Sequence, residues 1–309
     1  MDILTIITEY KHQLKTRGYA KATICGYSNN IDCFAHYLAE RQLTDIKKIN
    51  HRLILDYQEH IMSGNNAMET NALKIRAVKR LFEYLDETHR LLVNPTEGIV
   101  ETRRKNRKIG PVLTISEVKK LLSQPNLSLK IHIRDRAIME ILYSTGIRLG
   151  ELLGLEIYHV ELKDKVLYIR KGKGNKQRVV PLGNDAATYV REYLTKVRPF
   201  YTKKNPKERK IFLLHTGLAM TPESVRSILA KYRKQAGIKK NISPHTLRRT
   251  CATHLLQNGA DIRYIQKLLG HSCLKTTQAY TKVMPVDVKK IHEQTHPNVK
   301  NQTRQGEQP

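Results

Sequence analysis

A short basic segment, ETRRKNRKIGP at residues 101–111, constrains the fold of this chain more than any other feature. Five of the six residues from 103 to 108 are Lys or Arg, and Gly110-Pro111 follows them. A run of charge that ends in Gly-Pro is typical of an interdomain linker. The 309 residues also exceed the usual size of one compact core. We therefore expect two domains joined by a basic linker.

The part before the linker shows only helical patterns. Apolar side chains recur every three or four residues in four stretches, which are 3–14, 23–39, 51–62 and 70–85. In the last stretch Lys74 and Lys79 lie away from the apolar face, so they are candidates for a surface that faces a polyanion. Asn94-Pro95 ends this helical block.

The part after the linker mixes helices with short strands. Thr114 and Glu117 have the spacing of a capping box, and a long apolar helix is predicted from about 131 to 143. Strand-like runs follow at about 155–160, 166–170 and 178–182, and helical patterns then return. The expected fold class is mainly α with a small antiparallel β-sheet, in which an α+β domain follows a helical one.

The charge balance narrows the class of partner. The chain has 55 Lys and Arg against 28 Asp and Glu, a formal net charge of +27, which favours a nucleic acid over charge that serves solubility alone. No apolar run approaches the roughly 18 residues that cross a membrane. The Cys and His residues show no zinc-ligand or disulfide spacing. We expect no membrane partner, metal or cofactor, and a cytoplasmic protein with reduced thiols.

The segment SPHTLRRT predicts a helix start that can bind an anion. Ser243 is a good N-cap and Pro244 suits the first helical position, which puts His245 and Arg248 near the amino end of one helix. Free N–H groups and the positive end of the helix dipole attract an anion there. For this pair alone, an ordinary exposed helix start is about as good an interpretation.

Three further segments contain reactive or basic side chains. In TGIRLGEL, Glu151 follows Arg148 by three residues and can hold its guanidinium. In IRKGKGNKQR, Lys173 lies at a hairpin tip, and the spacing of a phosphate-binding P-loop is absent. In LGHSCLKTTQAY, His271 follows a helix-ending glycine and Tyr280 comes nine residues later. By itself, Tyr280 would be an ordinary half-buried helix residue.

Together these segments resemble the tyrosine recombinase family, most closely its Xer-like and phage-integrase-like members. The resemblance covers nearly the whole chain, and the ordered set of residues, separated by 25, 72, 3, 23 and 9 positions, is very specific. The set consists of Arg148, Lys173, His245, Arg248, His271 and Tyr280. Cys273 departs from the pattern, since Xer-like sequences commonly have an acid there.

The resemblance implies a metal-free cleavage of DNA. Tyr280 would attack a phosphodiester, form a 3′-phosphotyrosine and expel a 5′-hydroxyl, while Arg148 and Arg248 bind the developing charge. His245 would accept the tyrosine proton and Lys173 would protonate the leaving group. His271 would donate a hydrogen bond to a non-bridging oxygen, and Glu151 would support Arg148.

The resemblance also implies a domain plan and DNA contacts. Residues 1–102 would form a helical, SAM-like core-binding domain, 103–112 the linker, 113–296 the catalytic domain and 297–309 a disordered tail. The DNA-binding candidates are basic residues of the fourth helix, the linker and the hairpin, namely Lys74, Lys79, Arg103, Arg104, Lys105, Lys176 and Arg178.

The expected partner is a double-stranded recombination site in the nucleoid of a prokaryotic cell. The chain would bind it as a dimer and form a tetramer in the synapse, with a second recombinase or accessory DNA-binding proteins as further candidates. The reaction would serve Xer-like dimer resolution or the integration and excision of a mobile element. Two alternatives are a type IB topoisomerase, which needs no synapse, and a non-catalytic architectural DNA-binding protein, which would not need Tyr280.

Overall fold

The computed structural model describes residues 2–101, 110–170 and 177–270. The chain divides into two compact units between residues 108 and 109, called here the N-terminal and C-terminal units. In the described residues the structure is mainly helical with one small antiparallel sheet, so the predicted fold class is confirmed. No helix in this part of the chain has the length and apolar character to span a bilayer.

The N-terminal unit contains the four helices that its periodicity predicts. Asp2 and Asn50 cap the first and third by accepting from the backbone N–H of Thr5 and Leu53. Phe34 packs edge-on against Tyr57 at the centre of an apolar core. The helices are α1 (Ile3–Thr16), α2 (Lys21–Ala39), α3 (His51–Ser63) and α4 (Met68–Glu87).

The C-terminal unit is built around one buried helix, α6, in which every side chain from Ala137 to Thr145 is buried. The predicted capping box of Thr114 and Glu117 starts α5. The helices are α5 (Ile115–Leu122), α6 (Lys130–Thr145), α7 (Leu149–Gly154), α8 (Asn184–Glu192), α9 (Arg198–Thr202), α10 (Pro222–Gln235), α11 (Pro244–Gln257) and α12 (Ile262–Leu269).

The sheet has three antiparallel strands in the order β1 (Val160–Glu161), β2 (Val166–Ile169) and β3 (Arg178–Pro181). In its register Ile169 lies opposite Arg178. The predicted strand at 155–160 is wrong except at its last residue. Ile157–His159 instead forms a 3₁₀ turn, which the His159 N–H closes by donating to the Glu156 carbonyl at 2.8 Å, and Glu156 itself makes an isolated antiparallel bridge with Lys210.

Candidate active site

Arg148 is held where α6 gives way to α7. Gly146 ends α6 at φ +60, and a Cβ there would lie 2.8 Å from Leu269, so the turn requires glycine. Arg148 is the N-cap of α7, and its backbone N–H donates to Glu151 Oε2 at 2.8 Å. Its guanidinium donates to Glu151 Oε1 at 3.0 Å, which is the contact that the spacing predicted.

Arg248 lies on α11, which begins with the predicted N-cap Ser243 and Pro244. Its side chain is buried and donates to the carbonyls of Gly146 and Leu269, each at 2.7 Å. Burial, and secondarily the charge of Arg148, lower the pKa of Arg248 to about 10. The guanidinium is therefore charged at neutral pH and has N–H groups left for a ligand.

Arg178, on β3, lies beside Arg148 and Arg248, and these three arginines with Glu151 are called here the arginine cluster. It donates to both carboxylate oxygens of Glu151, at 2.9 and 2.8 Å, and to the carbonyl of Leu268 at 2.9 Å. The sequence suggested a DNA contact for Arg178, and it did not suggest this pairing. The two residues are 27 positions apart, on β3 and α7, so only the tertiary fold brings them together.

Glu151 remains ionised in this cluster although its side chain is only 3% exposed. Burial alone would raise the pKa of its carboxyl group. Hydrogen bonds from Arg178 and from the Arg148 backbone outweigh burial, and the pKa lies below its ordinary value.

The three guanidiniums meet at the carboxyl end of α12. Three successive carbonyls accept from them, Leu268 from Arg178, Leu269 from Arg248 and Gly270 from Arg148. These carbonyls lie at the negative end of the helix dipole, which attracts cations. Counted over the described residues, three positive charges surround the single carboxylate of Glu151, so the cluster has an excess of about two positive charges and suits an anion.

The other predicted catalytic residues are placed unequally. His245 lies in the first turn of α11 with an exposed side chain, whereas Arg248, one turn later, is buried. Lys173, His271 and Tyr280 lie outside the described residues. Among the described residues no group of three His, Cys, Asp or Glu side chains could hold a metal ion.

The predicted DNA contacts in the N-terminal unit lie on α4. Lys74 and Lys79 are both half-buried. The Lys79 ammonium donates to the carbonyl of Ile99 at 2.8 Å, so part of its hydrogen-bonding capacity is used within the unit. The remaining candidates, Arg103, Arg104, Lys105 and Lys176, lie outside the described residues.

Two family models match the chain. The model of the phage integrase family matches residues 111–285, and that of the phage integrase N-terminal SAM-like domain matches residues 7–89. The tyrosine recombinase XerD of Listeria monocytogenes is 35% identical over 94% of this chain and 98% of the relative. XerD of Staphylococcus aureus is 33% identical over 95% of this chain and 99% of the relative.

Solved structures share the fold. The XerH recombinase bound to difH substrate matches with a TM-score of 0.65 and 23% identity, over 96% of this chain and 85% of that one. A lambda integrase dimer bound to a COC' core site matches with a TM-score of 0.66 and 20% identity, over 92% of this chain and 100% of that one. At these identities the likeness concerns the fold alone.

Proposed function

The chain belongs to the phage integrase family and is a site-specific tyrosine recombinase, and we propose that its arginine cluster binds the phosphodiester that Tyr280 attacks. One observation carries the proposal. Guanidiniums from three separate elements converge on the end of α12, and Glu151 is the one carboxylate that pairs with them in the part of the chain that the structure describes. That helix end immediately precedes His271 in the sequence.

The cluster suits a phosphodiester in the transition state. Attack on phosphorus places extra negative charge on the two non-bridging oxygens, and planar guanidiniums bind such oxygens through paired hydrogen bonds. Arg148 and Arg248 are assigned to these oxygens. Their contacts with carbonyls and with Glu151 fix them before DNA arrives, so little reorganisation is needed when the charge develops.

The remaining steps are assigned to the other residues of the set. The Tyr280 oxygen forms a bond to phosphorus, the bond from phosphorus to the 5′-oxygen breaks, and a 3′-phosphotyrosine results. His245 accepts the tyrosine proton, and Lys173 gives a proton to the leaving 5′-oxygen. His271 donates a hydrogen bond to a non-bridging oxygen. Attack by a 5′-hydroxyl reverses the sequence, so rejoining needs no ATP.

The proposed partner is duplex DNA that several protomers bind together. The solved relatives include a lambda integrase dimer on a core site and a lambda integrase tetramer on a Holliday junction. By analogy, this chain binds as a dimer on each site and as a tetramer in a synapse, with a second recombinase or accessory proteins as further partners. We further propose that it acts in the bacterial cytoplasm, on the nucleoid. Dimer resolution and mobile-element integration both use this step.

The domain plan forms part of the proposal. Residues 1–102 act as a core-binding domain, 103–112 as a basic linker and 113–296 as the catalytic domain, followed by the tail 297–309. The linker candidates Arg103, Arg104 and Lys105, and the hairpin candidate Lys176, add phosphate contacts.

Trapping of a covalent complex tests the proposal. The full chain is used to select a binding site from a random duplex pool, and that site is then labelled and nicked beside the cleavage position. Wild type should give a protein–DNA adduct that survives denaturing gels, and Tyr280→Phe should give none because the nucleophilic oxygen is absent.

A neighbouring tyrosine supplies the matched control. Tyr264 lies on α12 and is half-buried. The Tyr264→Phe variant should still form the adduct. If wild type formed no adduct on a site that it binds tightly, the chain would act as a binding protein rather than as a recombinase. An adduct that persisted in Tyr280→Phe would place the nucleophile elsewhere.

A further inference from the structure

We propose that Arg178 is a positioning residue for strand cleavage, which fixes Arg148 through Glu151 and also holds the carboxyl end of α12. The inference rests on the proposed function of the arginine cluster. It replaces a direct DNA contact as the role of Arg178.

The first support is the geometry of the ion pair. Two nitrogens of Arg178 face the two oxygens of Glu151 at 2.9 and 2.8 Å, the parallel arrangement that only a guanidinium can form with a carboxylate. The side chains are 13% and 3% exposed. A charge this well covered is stable only while its partner stays in place.

The second support is the position of Glu151 between two arginines. Its Oε1 accepts from the guanidiniums of Arg148 and Arg178, and its Oε2 accepts from the Arg148 backbone and from Arg178. Each oxygen is therefore held from two directions. Without Arg178 the carboxylate could rotate, and the orientation of the Arg148 guanidinium would no longer be fixed.

The third support is contact with the end of α12. Arg178 Nε donates to the Leu268 carbonyl at 2.9 Å. A Cβ added at Gly270 would lie 3.1 Å from Arg178 Nη1, so the guanidinium packs directly on that glycine. Gly270 in turn offers its carbonyl to Arg148 at 2.8 Å. Arg178 thus contacts both groups that orient Arg148.

Little of Arg178 is left for DNA. Three of its five N–H groups are already used inside the cluster, and its side chain is 13% exposed. Arg170 directly follows β2, the strand that pairs with β3, and its side chain is exposed. Its guanidinium carbon lies 5.6 Å from the ring centre of Tyr158. The hairpin therefore offers a matched pair of arginines, one inside the cluster and one outside it.

The experiment separates cleavage from binding in the full-length protein. Single-turnover adduct formation on the nicked site is measured at saturating DNA, and the dissociation constant is measured at several salt concentrations. The variants are Arg178→Gln, Arg178→Lys, Glu151→Gln, the double Arg178→Gln/Glu151→Gln and the control Arg170→Gln. Thermal melting shows that each variant is folded.

The expected result is a loss of rate without a loss of affinity. Arg178→Gln should slow adduct formation about 10- to 100-fold, as loss of a supporting partner does in other sites. Arg178→Lys should recover little, since an ammonium cannot pair both oxygens. The double variant should be no slower than the slower single variant, because both changes break one relay. Arg170→Gln should cleave at the wild-type rate.

Three outcomes would overturn the inference. A lower salt slope, by about one, with unchanged cleavage at saturation would make Arg178 a phosphate contact. Rate losses that multiply in the double variant would show that Arg178 does not act through Glu151. Wild-type cleavage in folded Arg178→Gln would remove the role altogether. If Arg178→Gln fails to fold, the double variant, which keeps the cluster's excess of about two positive charges, and Arg178→Lys carry the same comparison.

Failure of the inference and failure of the proposed function look different. If wild type forms no adduct, the proposed function fails whatever Arg178 does. If wild type forms the adduct and all Arg178 variants match it, only the positioning role fails.

Discussion

The two units of this protein place their charges in opposite ways. In the N-terminal unit most arginine–acid pairs lie at the surface, as in Arg17 with Glu87 and Arg80 with Glu83, where every side chain is at least 40% exposed. The most covered of them, Arg76 with Glu101, is still 35% and 17% exposed. In the C-terminal unit Arg248 is buried against carbonyls, and the buried carboxylates of the described residues, Asp135, Glu140 and Glu151, all lie there.

We interpret this difference as a division between exposed charges that attract DNA and buried charges that fix the geometry of the reactive site. Exposed ion pairs contribute about 0–1 kcal/mol each and are screened by salt, so a surface cation can be lost with little effect on structure. A buried charge depends on each of its partners, and loss of one leaves the others misplaced. We therefore expect changes in the N-terminal unit to alter DNA affinity and changes in the arginine cluster to alter reaction rate.

Arg248→Lys should give the largest effect. A lysine cannot reach the carbonyls of Gly146 and Leu269 with two fixed nitrogens and still present a further pair of donors to a phosphate. Single-turnover cleavage at saturating DNA should fall about 10²- to 10³-fold, the cost of removing one transition-state hydrogen-bond donor.

A surface arginine of the same unit provides the control. Arg226 on α10 is exposed and pairs with Glu223 at 2.9 Å. Arg226→Lys should retain the wild-type rate. If Arg248→Lys changed only the affinity for DNA, buried and exposed cations would play the same part, and the contrast between the units would be wrong.

Lys74→Gln should give a smaller effect of another kind. Among the described residues its ammonium has no hydrogen-bond or ion-pair partner, so it is free to meet a phosphate. DNA affinity near 0.1 M salt should fall about three- to eightfold, and the salt slope should drop by about 0.9. The rate at saturation should not change.

Lys79→Gln sharpens this prediction, because its ammonium already donates to the Ile99 carbonyl. Its effect on affinity should be smaller than that of Lys74→Gln. A fall in the saturated cleavage rate in either variant would mean that the N-terminal unit does more than attract DNA.

Local rules predicted the parts of the structure that local forces determine. The four helices of the N-terminal unit, the capping box at Thr114 and the N-cap at Ser243 follow from side chains within a few residues of each other. The contact of Arg148 with Glu151 was predictable because the residues are three positions apart.

Contacts between residues far apart in the sequence could not be predicted from these local rules. The partners of Arg178 include Leu268, which is 90 positions away, and Gly270 lies 122 positions from Arg148. The strand predicted at 155–160 is confirmed only at Val160, since Ile157–His159 forms a 3₁₀ turn and Glu156 makes its bridge with the distant Lys210. From the sequence alone, a basic residue such as Arg178 at the edge of a hairpin predicts a DNA contact, because its pairing with Glu151 depends on the tertiary structure.

Glu140→Gln should give the smallest effect, on stability alone. Burial raises the pKa of Glu140 to about 7, although the charge of Arg136 lowers it, and among the described residues its Oε2 atom has no hydrogen-bond partner. The folded state then binds a proton that the unfolded state releases near pH 4.5, so wild-type stability falls as pH rises from about 4.5 to about 7. Glutamine mimics the protonated form, and the advantage in Tm of the variant over wild type should widen by about 5–10 °C between pH 5 and pH 8.

An exposed acid provides the control that distinguishes the effect of burial from the effect of removing a charge. Glu223 is exposed in the first turn of α10, and hydrogen bonds hold its pKa below the ordinary value. Removing its charge by Glu223→Gln should bring no gain at pH 8, because its ionised form is already the stable one in the fold. If Glu140→Gln became less stable than wild type as pH rose, the ion pair with Arg136 would outweigh burial. The carboxylate of Glu140 would then be held as firmly as that of Glu151.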